Sequence, residues 1–161
     1  ADPPSGPGSD QKLKPIRVFA PNGDAVGKEV DCVTQRKGQP SVFVFVPADK
    51  FTRPMARFLK KLDEKLQAER QDVQIVAIWL TDDQPKSREY LPKVQTSLKL
   101  ERTTWTVFVG DKHGPLEWGI NPDADITVVV ANGLKSTWSD GYRSINDTEV
   151  PNVFEKLPAK K

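Results

Sequence analysis

Sulfur chemistry is the first possibility to examine, because the chain has one cysteine, Cys32, and one methionine, Met55. Cys32 is the sole candidate thiol nucleophile. It lies in the alternating stretch 29–35, between Val30 and Thr34, and this alternation predicts an edge strand or a hairpin arm. A small, buried, inert side chain is the favoured interpretation, because nothing nearby in the sequence provides the electropositive site that a reactive thiol needs. A single cysteine also excludes an internal disulfide and an all-cysteine metal cage.

Carboxylates and the single histidine provide two further candidates. Asp82 and Asp83 follow an apolar strand and should lie at the carboxyl edge of a sheet, where ligands of α/β proteins often bind. They could form a metal or anion carrier site, although capping of the next helix is the favoured interpretation. His113 could be a general base, but no nucleophile is identifiable as its partner. We therefore expect that the protein holds no cofactor and no metal, and we assign no catalytic residue.

The elements that would position these residues follow from hydrophobic periodicity. Residues 42–46 and 73–80 are continuously apolar, as is typical of central strands covered on both faces. Between them, residues 52–70 predict an amphipathic helix, so that strand, helix and strand form a right-handed parallel crossover. The apolar positions of this helix are Met55, Phe58, Leu59, Leu62 and Leu66.

The second half of the chain predicts a similar unit and then a hairpin. A helix introduced by Asp82 and Asp83 should run to Leu98, with a kink or restart at Pro92. A strand follows over 103–109, and strands over 126–131 and 134–139 flank Asn132-Gly133, a strong hairpin signal. With a short strand over 16–19 and a last helix over 148–157, the fold class is a single-domain mixed α/β sheet flanked by helices.

The junction between the first central strand and its helix reads Thr52-Arg53-Pro54-Met55. The element order resembles the thioredoxin fold, and more closely the redoxin branch related to peroxiredoxins. In that resemblance Thr52 and Met55 replace the two cysteines of the thioredoxin motif, and Pro54 matches the proline between them. Residues 43–55 likewise resemble the peroxiredoxin active-site loop, with Met55 where its cysteine would be. The cis-proline of these families is missing beside residues 124 and 125, and Pro122 could substitute for it only across a short insertion.

The resemblance implies a redox scaffold whose catalytic positions are degenerate. A helix N-terminus promotes thiol chemistry by stabilising a thiolate. The Thr52 hydroxyl is too basic to ionise there, and the Met55 thioether has no proton to lose. We expect a redox-inactive thioredoxin-like domain that binds an unidentified protein partner as a binding or assembly module. The alternatives are a peroxiredoxin-like or thiol-disulfide oxidoreductase that uses Cys32, and a metal or anion carrier at the Asp82 and Asp83 edge.

Composition limits the remaining classes. Lys and Arg number 24 against 22 Asp and Glu, and this balance argues against nucleic acid as a partner. No apolar run reaches the roughly 18–20 residues that span a bilayer. Residues 1–14 are rich in Pro, Gly and Ser, so we expect a disordered leader or linker, then one domain over 15–158 and a tail over 159–161. Such a leader favours an exported protein, periplasmic or extracellular, over a cytoplasmic one.

Overall fold

The structure is a computed structural model that describes residues 4–20, 27–34 and 39–158. In these ranges the strands and helices follow one another in the predicted order. The strands are β1 (Arg17–Phe19), β2 (Glu29–Asp31), β3 (Ser41–Pro47), β4 (Gln74–Leu80), β5 (Thr103–Phe108), β6 (Ile126–Asn132) and β7 (Lys135–Tyr142). The helices are α1 (Arg53–Glu69), α2 (Gln84–Leu98) and α3 (Val150–Glu155).

One mixed sheet contains these strands in the order β2-β1-β5-β4-β3-β6-β7. The central strands β3, β4 and β5 are parallel, with α1 and α2 as their crossovers. The hairpin of β6 and β7 adds antiparallel to β3, and β1 adds antiparallel to β5. The predicted α/β class, the parallel crossover and the hairpin around Asn132-Gly133 are confirmed.

Alternate residues of β3 serve two separate cores, because successive side chains of a strand point to opposite faces. Val44 packs on the face that α1 covers, in the same cluster as Met55 and Phe58. Phe43 packs on the other face, in the same cluster as Cys32 and Trp118. The predicted apolar stripe of α1 is buried throughout.

A buried carboxylate fixes α1 to the strand that follows α2. Asp63 Oδ2 accepts hydrogen bonds from the Arg102 backbone N–H at 2.8 Å and from the Thr103 hydroxyl at 2.7 Å. Its Oδ1 accepts from the Glu101 backbone N–H at 3.1 Å and from the Gln67 amide at 2.6 Å. The charge is offset by these four donors, which lock the helix against the start of β5.

Residues 4–14, part of the segment expected to be a disordered leader or linker, lie against the sheet in the structure. Ser5 and Leu13 are buried, and the Ser5 hydroxyl lies 2.7 Å from that of Thr127. The Leu13 N–H donates to the Leu134 carbonyl at 2.7 Å. Gly6 has a φ of +91° and a Cβ there would lie 2.8 Å from the Cβ of Ser139, so only glycine fits this approach. Hydrogen bonds along β6 and β7 hold the segment despite its low hydrophobicity. The predicted tail over 159–161 lies outside the described residues.

Three other predicted features differ in the structure. Cys32 lies in a turn after β2 rather than on a strand over 29–35, because the Asp31 carboxylate accepts from the Val33 N–H at 3.0 Å and turns the chain. α2 runs through Pro92 from Gln84 to Leu98 without restarting, since Leu91 and Val94 are buried on either side of it. The last helix starts at Val150, after a single 3₁₀ turn, instead of at residue 148.

Candidate functional site

The junction between β3 and α1 presents no sulfur to solvent. After a 3₁₀ turn over Ala48–Lys50, Thr52 is the N-cap residue of α1, and both Thr52 and Arg53 are exposed. Met55 is only 2% exposed and lies in the core beneath the helix. The first turn has Pro54, which carries no N–H, and no acidic residue, so the exposed polar side chains at this helix start are a hydroxyl and a guanidinium.

The chemistry of this junction follows from those groups. Helix amides and the macrodipole would stabilise a thiolate here. An alcohol does not ionise under that influence, and a buried thioether can neither form a disulfide nor exchange one. The junction therefore has the electrostatics of a redox site without a redox group.

Cys32 is on the other side of the sheet. It is 3% exposed, its N–H donates to the Ile16 carbonyl at 3.1 Å, and it packs in the cluster opposite to that of Met55. Burial raises the pKa of the Cys32 thiol far above its ordinary value of 9.0, and the neighbouring Asp31 carboxylate raises it further. The thiol is neutral and inaccessible, and the sheet separates it from the start of α1.

A cleft of about 260 Å³ lies at the carboxyl ends of β3 and β4. The loop before α1, the loop after β5 and the loop before β6 form its walls. Three residues singled out in the sequence line it together: Asp82, His113 and Pro122. The other lining residues are Pro47, Ala48, Asp49, Lys50, Leu80, Thr81, Lys112, Ile120, Asn121 and Ala124.

The charged candidates at this edge have separate roles. Asp83 caps α2, since its Oδ1 accepts from the Lys86 N–H at 3.2 Å, so the capping interpretation is confirmed for Asp83. Asp82 is exposed in the cleft. His113 is exposed, and its backbone N–H donates to the Asp111 carboxylate at 2.8 Å. Among the described residues, no three His, Cys, Asp or Glu side chains come together to hold a metal ion.

The N-terminal segment holds the far wall of the cleft, which sequence reasoning missed. The Asn121 N–H donates to the Ser5 hydroxyl at 2.8 Å, and its side-chain amide donates to the Pro4 carbonyl at 3.0 Å. The Trp118 indole donates to the Lys14 carbonyl at 2.9 Å. No peptide bond in the described ranges is cis, so Pro122 does not replace the missing cis-proline.

Comparison with known proteins identifies the fold. No protein-family model matches the chain, and no curated protein matches it by sequence. A member of the Sco family of cytochrome c oxidase assembly proteins has 15% identity and a TM-score of 0.63, covering 96% of this chain and 97% of its own. A secreted thiol-disulfide isomerase from Corynebacterium glutamicum has 14% identity and a TM-score of 0.61, covering 89% and 83%. A peroxiredoxin-like protein from Aquifex aeolicus has 19% identity and a TM-score of 0.59, covering 96% and 92%.

The chain therefore has a thioredoxin-like fold, that of redoxins and peroxiredoxins, as its element order predicts. With one cysteine in the whole sequence, it has no cysteine pair, and neither position 52 nor position 55 is cysteine. Within the described ranges, no helix combines the length and the apolar character that crossing a bilayer requires.

Proposed function

We propose that this protein is a redox-inactive thioredoxin-like module that binds a segment of a partner protein in the cleft beside α1 and serves in assembly. The observation that carries the proposal is the position of the only thiol. Cys32 is buried on one face of the sheet, whereas Thr52 and the cleft lie at the start of α1. The site keeps the junction of strand and helix at which the resembled families have their cysteines, and it lacks the thiol.

The cleft fits a short peptide segment better than an enclosed cofactor. Its volume of about 260 Å³ is just below the roughly 300–1,000 Å³ of small-molecule sites, and it opens to solvent. Both signs of charge line it, with Lys50 and Lys112 as the cations and Asp49 and Asp82 as the anions. Such mixed charges suit a polar peptide segment. They do not give the cleft the uniform electrostatic field that a carrier of cations or of anions would need.

The enzyme alternative makes an opposite prediction that can be measured. If Cys32 were a nucleophile, the native protein would react with a thiol reagent and would turn over peroxide or reduce insulin disulfides, and Cys32→Ser would abolish that activity. We expect labelling only after denaturation and no Cys32-dependent turnover. Activity that is lost in Cys32→Ser would reverse the proposal.

Binding is tested by comparing two surface variants as bait in extracts of the native source. The cleft variant combines Lys112→Glu with His113→Glu, and the control combines Lys28→Glu with Lys156→Glu, two exposed positions outside the cleft lining. All four side chains are exposed, so both proteins should fold. We expect a protein captured by the wild type and the control to be lost from the cleft variant. Equal capture by all three would remove the cleft from the function.

Export is part of the same proposal. Oxidising compartments disfavour an accessible free thiol, and the one thiol here is buried. Detection of the native protein only in cytoplasmic fractions of its source would contradict export and leave the binding function standing.

A further inference from the structure

A second concave surface lies between α1 and α2, on the other side of Phe51 from the cleft. This groove has a volume of about 310 Å³ and a mainly apolar lining. Ala56 contributes from α1, and Tyr90, Val94 and Leu98 contribute from α2. These α2 positions are spaced by four residues, so they form one row along the helix. Tyr90 is 44% exposed, an unusual value for a large apolar side chain in the described part of the chain.

The rim of this α1–α2 groove is basic. Arg53, Arg57 and Lys60 share a face of α1 with Ala56, because they are spaced by three and four residues. The Lys60 ammonium donates to the Lys99 carbonyl at 3.3 Å, just past the end of α2, so this face of α1 is turned towards α2. Lys93 lines the groove from the α2 side.

These cations have no acidic partners within the described ranges. The ion pairs there involve Arg17, Lys50, Lys65, Arg70 and Lys135. The stretch from residue 53 to residue 61 contains four basic residues and no acidic one. Positive charge at a helix N-terminus opposes the macrodipole, so this arrangement is unfavourable for α1 on its own. The positive end of the helix and the basic side chains reinforce each other beside an apolar recess.

We infer that the α1–α2 groove docks an acidic amphipathic helix of a partner protein, with an apolar side chain inserted beside Tyr90 and carboxylates over Arg53, Arg57 and Lys93. Two helices with facing rows form a trough of the kind that accepts a third helix. A flat anionic membrane would meet the basic rim but would leave the apolar recess empty. A second copy of this surface would bring basic rims together, which disfavours self-association.

The inference adds a second surface to the proposed module and can be tested apart from the cleft. The probe is a labelled synthetic peptide of about 18 residues with Leu and Phe on one helical face and Glu on the other. One comparison peptide has Lys at every Glu position, and another has the same composition in an order without amphipathicity. Fluorescence anisotropy measures the affinity, and backbone NMR shifts locate the site.

We expect the acidic amphipathic peptide to bind, with NMR shifts at residues 53–60 and 90–98 and an affinity that weakens from about 50 to 500 mM salt. Tyr90→Ala, and separately the pair Arg53→Glu with Arg57→Glu, should each weaken binding at least about fivefold. The cleft variant and the Lys28 and Lys156 control should bind as the wild type does. Equal binding of the acidic and basic peptides would overturn the inference, and so would binding weaker than roughly 1 mM by the acidic one.

Two further outcomes separate this inference from the proposed function. NMR shifts around Lys112 that disappear in the cleft variant would place the peptide in the cleft, which refutes the groove and keeps the binding module. Binding of anionic phosphatidylserine vesicles that depends on Arg53 and Arg57, without peptide binding, would assign the basic rim to a membrane and also refute the inference.

Discussion

The buried state of Cys32 predicts a specific loss of stability at alkaline pH. In the native protein, desolvation raises the pKa of this thiol above its ordinary value of 9.0. In the unfolded chain the thiol is exposed and titrates near that ordinary value. Above about pH 9 the unfolded state therefore releases a proton that the native state retains, so the unfolded state binds fewer protons. Stability must then fall as pH rises through this range.

The size of the effect follows from the same linkage. With an unfolded pKa of 9.0 and a native thiol that stays protonated, the loss from this one group between pH 8 and pH 10 is about 1.4 kcal/mol. Tyrosine and lysine residues also titrate near pH 10, so the pH dependence of the wild type alone does not isolate the contribution of Cys32. Cys32→Ser provides the reference, because the serine hydroxyl does not ionise and its packing cost is the same at both pH values.

The measurement is urea unfolding of the wild type and Cys32→Ser under reducing conditions at several pH values between 8 and about 10.5. Cys32→Ser should be the less stable protein at pH 8, and the difference should narrow by about 1.4 kcal/mol at pH 10. A difference that does not change with pH would mean that the native thiol ionises normally. In that case the burial argument, and the case against a Cys32 enzyme, would both be refuted.

Three further predictions concern the other parts of the argument. In a Cys32→Ser background, Thr52→Cys should give an exposed thiol with a pKa below the ordinary value, because the α1 N-terminus stabilises a thiolate. The pH dependence of alkylation measures this pKa. A normal or raised pKa would contradict the electrostatics assigned to the helix start. Asp63→Asn should lower the free energy of unfolding, measured in urea, by about 2–4 kcal/mol, because either orientation of the amide leaves a backbone N–H without an acceptor. The control is Glu64→Gln, at the next, exposed position of α1, which should lower it by less than about 0.5 kcal/mol. Ser5→Ala should lower the free energy of unfolding by about 1–2 kcal/mol. It should also accelerate hydrogen exchange of the Asn121 backbone amide, which loses its acceptor. Unchanged exchange at Asn121 would show that the N-terminal segment does not hold the cleft wall.

The regular elements were predictable because their signals are local. The spacing from Met55 to Leu66 predicts a helix over 52–70, and α1 spans Arg53–Glu69. The apolar run over 42–46 likewise predicts a central strand, and β3 spans Ser41–Pro47. For α1 the period of the apolar side chains indicates which face is buried, and for β3 the unbroken apolar run indicates burial on both faces; the packing agrees with both.

The cleft and the N-terminal segment were not predictable, because residues far apart in the chain create them. Ser5 forms hydrogen bonds with Thr127 and Asn121, which lie more than a hundred positions away, and the composition of the segment does not indicate them.

The position of Cys32 was missed for a different reason. Alternation continues to residue 35, but the Asp31 carboxylate accepts from both Ile16 and Val33 and ends the strand. A side chain that bonds the backbone overrides a periodic pattern.

The packing of this domain fixes the side chains at the junction between β3 and α1. Met55 fills the α1 core next to Phe58, so a cysteine there would leave a cavity at a cost of roughly 2 kcal/mol or more. Phe51 is held edge-on by Trp79 at 5.4 Å and by Trp105 at 5.8 Å, which fixes the loop before α1. This loop lines the cleft through Ala48–Lys50 and the α1–α2 groove through Phe51. Four consecutive residues thus join the two proposed binding surfaces, so that a partner segment in one and a partner helix in the other would both contact the loop that Phe51 anchors.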